Sequence, residues 1–146
     1  MAEEATRVVR IERTFDAPAE DVFDAWTSEE VIARWFKPAQ GWQEAGAEVD
    51  LRVGGSIRVV MRTPNGEPVR AGGEYTLIER PHRLAFTWTF DDDPTNQQMI
   101  ELDFTERDGV TTVLFVNSDI SEAERRDAQY EGWSTCLDNM ERVLVR

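Results

Sequence analysis

The stretch that most constrains the fold is the last one, Ser121 to Val145, which reads as a single long helix. Tyr130, Trp133, Leu137, Met140 and Leu144 recur at steps of three and four and make one apolar stripe. Ser121, with Glu124 three residues on, predicts a capping box at its start. Glu122 to Gln129 is almost wholly polar, so the helix is expected to begin in solvent and bury its second half. A single apolar stripe needs a single apolar surface, and the strand-like segments ahead of it supply one. Gly132 interrupts the stripe, where glycine costs about 1 kcal/mol relative to alanine. It reads either as a point of close approach to a backbone or ligand, or as a tolerated weak position.

From the N-terminus, Arg7 to Phe15 alternates, with Val9, Ile11, Arg13 and Phe15 on one face, and predicts a half-buried strand. Pro18 suits a helix start, and Val22, Phe23 and Trp26 make Ala19 to Trp26 a short helix. Thr27 and Glu30 predict a second capping box, opening a helix through Val31, Ile32 and Trp35 that Pro38 ends. Ala39 to Gly46 reads as loop and Ala47 to Arg52 as a weak strand closed by Gly54-Gly55. Ser56 to Arg62, Gly73 to Glu79 and Arg83 to Phe90 are strands. Pro-Asn-Gly at 64–66 marks a tight turn after the first of these. Gln98 to Glu106 and Val110 to Asn117 form a hairpin around Asp108-Gly109. In its second arm Val113 to Val116 are all apolar, so alternation does not say which face points inward. The order is strand, two short helices, six strands, long helix: an α+β fold with one sheet face to cover.

The 146 residues suit a single domain over 1–146, with 1–6 as a disordered tail. No apolar run approaches the roughly 20 residues of a membrane span, and Met-Ala-Glu-Glu-Ala is no secretory leader. The lone Cys136 excludes an internal disulfide and fits a reducing, cytoplasmic setting. A net charge of −13 without a basic cluster argues against nucleic acid and against anionic membranes as partners. All of the 16 basic residues except Lys37 are arginine, which reads as coding bias.

Five segments, in this order, resemble a known family. They are Phe15-Asp-Ala-Pro18 through Val22-Phe23-Asp-Ala-Trp26, Ile32-Ala-Arg-Trp35-Phe36-Lys-Pro38, and Asp50 through Gly54-Gly55-Ser-Ile57. The remaining two are Gly73-Glu-Tyr75 through Pro81 to Trp88, and Gly132-Trp133 through Leu137 to Met140. The likeness, over residues 7 to 146, is to domains like the C-terminal part of the activator of Hsp90 ATPase, within the START-like or Bet v 1-like superfamily. It implies a helix-grip fold, in which a curved antiparallel sheet wraps the C-terminal helix and two short helices close one end. It also implies a cavity between sheet and helix. The family brings no invariant catalytic set with it, so the resemblance does not settle function.

The aromatic content invites a pocket reading beside a plain core reading. The candidate ligand-binding residues are Trp35 and Phe36 at the closing helix, Met61, Tyr75 and Trp88 on strands, and Trp133 on the long helix. Tyr75 and Trp88 each carry a polar atom able to orient a ligand. Trp42 reads as a mouth residue or as an exposed loop residue. His82, the only histidine, follows Pro81 in a turn and reads as exposed, and a zinc site would lack its commonest ligand set. Cys136 reads as a small core residue, since no histidine stands beside it to activate a thiolate. Glu101 and Asp103 share the polar face of their strand and are expected in solvent. No catalytic residue, metal or cofactor is assigned.

Three functions follow. The first is a binding module for a small hydrophobic or aromatic ligand, monomeric or homodimeric, with a cavity of a few hundred Å³. The second is an enzyme acting on such a ligand by cyclisation, hydrolysis or isomerisation. The third is a protein-interaction module with a chaperone as partner.

Overall fold

The computed structural model describes residues 7–144. The tail expected over residues 1–6, and the expected end of the last helix at Val145, lie outside the described residues. Strand β1 (Val9–Phe15) leads into helices α1 (Ala19–Thr27) and α2 (Glu29–Trp35). Strands β2 (Gln43–Val49), β3 (Ser56–Arg62), β4 (Pro68–Glu79), β5 (Arg83–Phe90), β6 (Gln98–Arg107) and β7 (Val110–Ser118) follow, and α3 (Ala123–Leu144) closes the chain. The seven strands form one antiparallel sheet in the order β1-β7-β6-β5-β4-β3-β2. The first strand therefore returns to pair with the last, and every other pairing joins sequence neighbours. The sheet curls into a half-barrel around the long helix, which is the helix-grip arrangement.

Alternation decides what lies inside. On β6, Gln98, Ile100, Leu102 and Phe104 are buried while Glu101 and Asp103 are exposed. The four apolar residues of β7 resolve the same way, Val113 and Phe115 pointing inward with Thr111 and Asn117. Asp108 and Gly109 have φ of 54° and 80°, the pair of positive values that a two-residue hairpin turn requires. Trp26, Trp35, Trp88, Tyr75, Phe15, Phe23, Phe86 and Phe115 are the bulk of the fully buried interior.

Several boundaries differ from expectation. The stretch read as loop up to Gly46 is already strand from Gln43, because Ala45 and Ala47 are too small to give a visible apolar alternation. β4 starts at Pro68, five residues before its expected start; proline is tolerated at the first position of a strand. Ser28, not Thr27, caps α2: its extended backbone lets Oγ accept from the Val31 N–H at 3.4 Å. Thr27 is still helical and its hydroxyl donates back to the Phe23 carbonyl at 3.1 Å. The capping box at Ser121 does not form either, since α3 starts at Ala123. Asn96 takes over the junction, its Oδ1 accepting from the Ser121 N–H (3.1 Å) and its Nδ2 donating to the Asp119 carbonyl (2.8 Å). Tyr130 is 40% exposed, with Arg126 over its ring, and Gln129 holds the inward position instead. The first half of α3 otherwise lies in solvent, as its polar composition requires.

Candidate ligand-binding groove

The last turns of α3 are bound to the sheet and to the end of α2. Arg13 on β1 ion-pairs with Asp138 at 2.7 Å, and Asn139 Nδ2 donates to the carbonyls of Trp35 and Lys37 at 3.3 and 3.2 Å. The first turns are held toward the other side of the sheet, Arg126 Nε donating to the Val8 carbonyl at 2.9 Å and the Gln129 amide reaching β6 and β7. Between them and the inner face of β3, β4 and β5 runs an open groove of about 460 Å³. Its apolar wall consists of Phe36, Pro38, Trp42, Met61, Val69, Trp88, Phe90 and Trp133, with Gly132 and Ala128 on the helix side. Three rings make its floor: Phe36 lies 5.7 Å from Trp88 and 5.2 Å from Trp133, and Trp88 lies 5.9 Å from Trp133. Edge-to-face and offset contacts at these distances hold the rings firmly. Glu122, Glu124 and Arg125 make a charged rim, with Arg125 Nε 3.6 Å from Asp93.

Gln129 forms the polar end of the groove and belongs to a buried amide network. Its Nε2 donates to Gln98 Oε1 at 2.8 Å and to Asn117 Oδ1 at 2.7 Å. Trp133 Nε1 donates to the same Asn117 oxygen at 3.2 Å. Cys136 reaches the groove at its base, where burial pushes the thiol well above its ordinary range and the Lys37 backbone offsets this only partly. A neutral, buried thiol is a packing group, not a nucleophile.

Of the six residues singled out in the sequence, Phe36, Met61, Trp88 and Trp133 meet in this groove. Trp35 and Tyr75 do not. Trp35 turns away into the core, its Nε1 donating to the Ala25 carbonyl at 2.7 Å and its ring 4.8 Å from Trp26. Tyr75 is buried against Phe86 at 5.8 Å, and its burial pushes the phenol above its ordinary range. Trp42 stands half-buried at the mouth. Sequence reasoning passed over Gln129, Gln98 and Asn117, because polar residues at inward positions look like breaks in a pattern. Counting inward positions on β6, β7 and α3 finds all three. His82 is exposed in the β4–β5 turn, away from the groove. Among the described residues no cluster of His, Cys, Asp and Glu could hold a metal ion, and no helix is long and apolar enough to cross a membrane.

Comparison with known proteins agrees with this architecture. Residues 16–145 match the family described as activator of Hsp90 ATPase homolog 1-like protein. None of the curated proteins compared with the chain matches it in sequence. Among solved structures, a protein from Chromobacterium violaceum superposes with a TM-score of 0.87 at 23% identity, over 94% of this chain and 96% of that one. The AHSA1 protein of Silicibacter pomeroyi gives 0.81 at 22% identity, with the same two coverages. An Hsp90 activator from Plasmodium falciparum gives 0.76 at 24%, again over 94% and 96%. At these identities the likeness is one of fold.

Proposed function

The chain belongs to the family of activator of Hsp90 ATPase homolog 1-like proteins, and within that family we propose that it is a binding module for a small hydrophobic or aromatic ligand. One observation carries the reading: a groove of about 460 Å³, floored by Phe36, Trp88 and Trp133, opens between α3 and strands β3, β4 and β5. That volume and lining are those of ordinary small-molecule sites, which are concave, mostly apolar and furnished with few polar groups. The titratable group buried at its base, Cys136, is held neutral, which favours binding over acid–base catalysis. Nile red, an uncharged dye that brightens in apolar surroundings, tests the reading. Saturable one-site enhancement is expected, weakened by Trp42→Ala at the mouth. Absence of saturable binding, together with no small molecule retained in native mass spectra of the purified protein, overturns it.

A second reading rests on family membership and on the fold shared with the Plasmodium falciparum Hsp90 activator: docking on an Hsp90-type chaperone. Stimulation of the ATPase of a purified Hsp90-type chaperone by this protein is the expected result under that reading, and an unchanged ATPase rate rejects it.

A further inference from the structure

Phe36, in the groove floor, is carried by a tight turn. α2 ends at Trp35, and the Lys37 N–H donates back to the Trp35 carbonyl at 2.8 Å across Phe36 alone. With φ −80° and ψ 71°, Phe36 is the central residue of an inverse γ-turn. One hydrogen bond closes that turn, so its placement depends on what holds its two ends. The Trp35 end is pegged by its own side chain, whose Nε1 donates to the Ala25 carbonyl at 2.7 Å. Both ends are then clamped from α3. Asn139 Nδ2 donates to the carbonyls of Trp35 (3.3 Å) and Lys37 (3.2 Å), the residues immediately before and after Phe36. The Oδ1 of the same amide accepts from Arg142 Nη1 at 3.0 Å, which sets the amide's orientation. Among uncharged side chains, only asparagine and glutamine carry two donors on one nitrogen. Asparagine is also a poorer helix former than alanine, so helix propensity does not account for it here.

Resting on the reading of the groove as a ligand site, we infer that Asn139 is a positioning residue for ligand binding: its amide clamps the γ-turn and so sets where the Phe36 ring stands in the groove floor. Asn139 does not line the groove and acts through Phe36. The ring it steadies is a node of the aromatic floor, 5.1 Å from Trp35, 5.7 Å from Trp88 and 5.2 Å from Trp133. A shift of the turn therefore disturbs each of these contacts at once. Asp138, the preceding residue, is the contrast. It too ties α3 to the rest of the fold, through Arg13 at 2.7 Å, but that tie runs to β1 and not to the γ-turn.

Nile red affinities of the parent, Asn139→Asp, Asp138→Asn, Phe36→Leu and the double variant Phe36→Leu/Asn139→Asp test this. Asn139→Asp is nearly isosteric, keeps an acceptor for Arg142 and removes both donated hydrogens. It is expected to weaken binding about tenfold, the order of one or two hydrogen bonds. Asp138→Asn is expected to bind within about twofold of the parent, since it cuts only a partly exposed ion pair. In the Phe36→Leu protein, itself a weaker binder, adding Asn139→Asp is expected to cost less than about threefold, because the amide acts through that ring. Nuclear Overhauser contacts between the Phe36 and Trp133 rings of the dye-free protein give a second readout. They should weaken in Asn139→Asp and stay unchanged in Asp138→Asn. If Asn139→Asp does not fold, Arg142→Ala stands in for it: the arginine is exposed, and its loss frees the amide on one side, for an expected weakening of about threefold. Parent affinity in Asn139→Asp, or in Arg142→Ala where it stands in, overturns this inference and leaves the groove reading standing. So does an equal loss in Asp138→Asn, or the same tenfold loss with and without the Phe36 ring. Saturable dye binding that Phe36→Leu does not weaken, or no saturable binding by the parent, overturns the groove reading itself.

Discussion

Gln98 on β6 and Gln129 on α3 hydrogen-bond to each other in both directions, Gln98 Nε2 to Gln129 Oε1 at 3.2 Å and Gln129 Nε2 to Gln98 Oε1 at 2.8 Å. Both side chains are buried, and Asn117 on β7 joins them through its own amide. Apart from the partly exposed Arg13 contacts to Asp138 and Ser134, sheet and helix meet largely through rings and aliphatic chains, which slide easily. A paired amide has one geometry, so this contact fixes the register of α3 above the sheet and marks where the groove stops.

Removing one member of the network leaves the others buried and unpaired. Gln129→Leu is expected to cost about 1–3 kcal/mol of stability, although leucine suits the interior better than glutamine. Gln98→Leu should cost a similar amount. The double variant should cost less than the sum of the two, because the pair is lost only once. Urea denaturation of the four proteins checks this; strict additivity would mean that the two amides do not act together.

The fold was legible because its strongest signals are periodic. Strands β1, β3, β5 and β6 alternate visibly, Asp108-Gly109 marks its turn, and the stripe on α3 needs a sheet. Legibility failed where a residue's role depends on a distant neighbour. Ala45 and Ala47 carry too little apolar area to announce β2. Ser121 has the capping sequence, yet Asn96, 25 residues away, holds that junction. The site was legible in half-measure for the same reason. Ring size pointed to Phe36, Met61, Trp88 and Trp133, whereas only packing tells that Trp35 and Tyr75 turn away from the groove. Gln129 was invisible because a polar residue at an inward position declares itself only when its partners are known.

Cys136 and Tyr75 make stability depend on alkaline pH. Burial raises both acids above their ordinary values, so the folded protein holds two protons that the unfolded chain releases. Stability from these groups is fully present below their unfolded values and is lost as pH rises past them, from about pH 9 upward. Each group contributes a fall of about 1.4 kcal/mol per pH unit once its unfolded value is passed. Urea midpoints measured between pH 8 and 11 should therefore decline, and Tyr75→Phe should flatten the steeper part of the decline above pH 10. A pH-independent midpoint over that range contradicts this account. In the native state at pH 8 the Cys136 thiol should resist a thiol-specific disulfide reagent, and should react promptly once urea unfolds the protein.

At Gly73 the backbone of β5 leaves no room for a side chain on β4. A Cβ built there would collide with the Thr87 carbonyl oxygen, a backbone atom that does not swing aside. The Thr87 hydroxyl also accepts from the adjacent Glu74 N–H at 2.9 Å, so the two strands are held at this spacing. Gly73→Ala is expected to destabilise by about 3 kcal/mol or more, through overpacking that forces the backbone apart. A melting temperature within a few degrees of the parent would show the strands free to separate.

Gly132 gives the sharpest test of the groove, because the helix leaves space on one side of it. A Cβ there would meet only the Pro38 Cβ, at 3.4 Å, which is ordinary contact. The two readings of this glycine are thereby separable: no backbone presses against it, and it lines the groove. Gly132→Ala should stabilise α3 by up to about 1 kcal/mol, since alanine removes the entropy that an interior glycine costs a helix. It should leave Nile red binding little changed. Gly132→Phe places a ring where the groove now opens, beside Pro38 and Trp133, and should abolish dye binding. Circular dichroism would confirm that its helix content is retained. Loss of binding in the phenylalanine variant, with retention in the alanine variant, locates the ligand between α3 and the α2–β2 segment. Equal binding by both variants would place it elsewhere on the molecule.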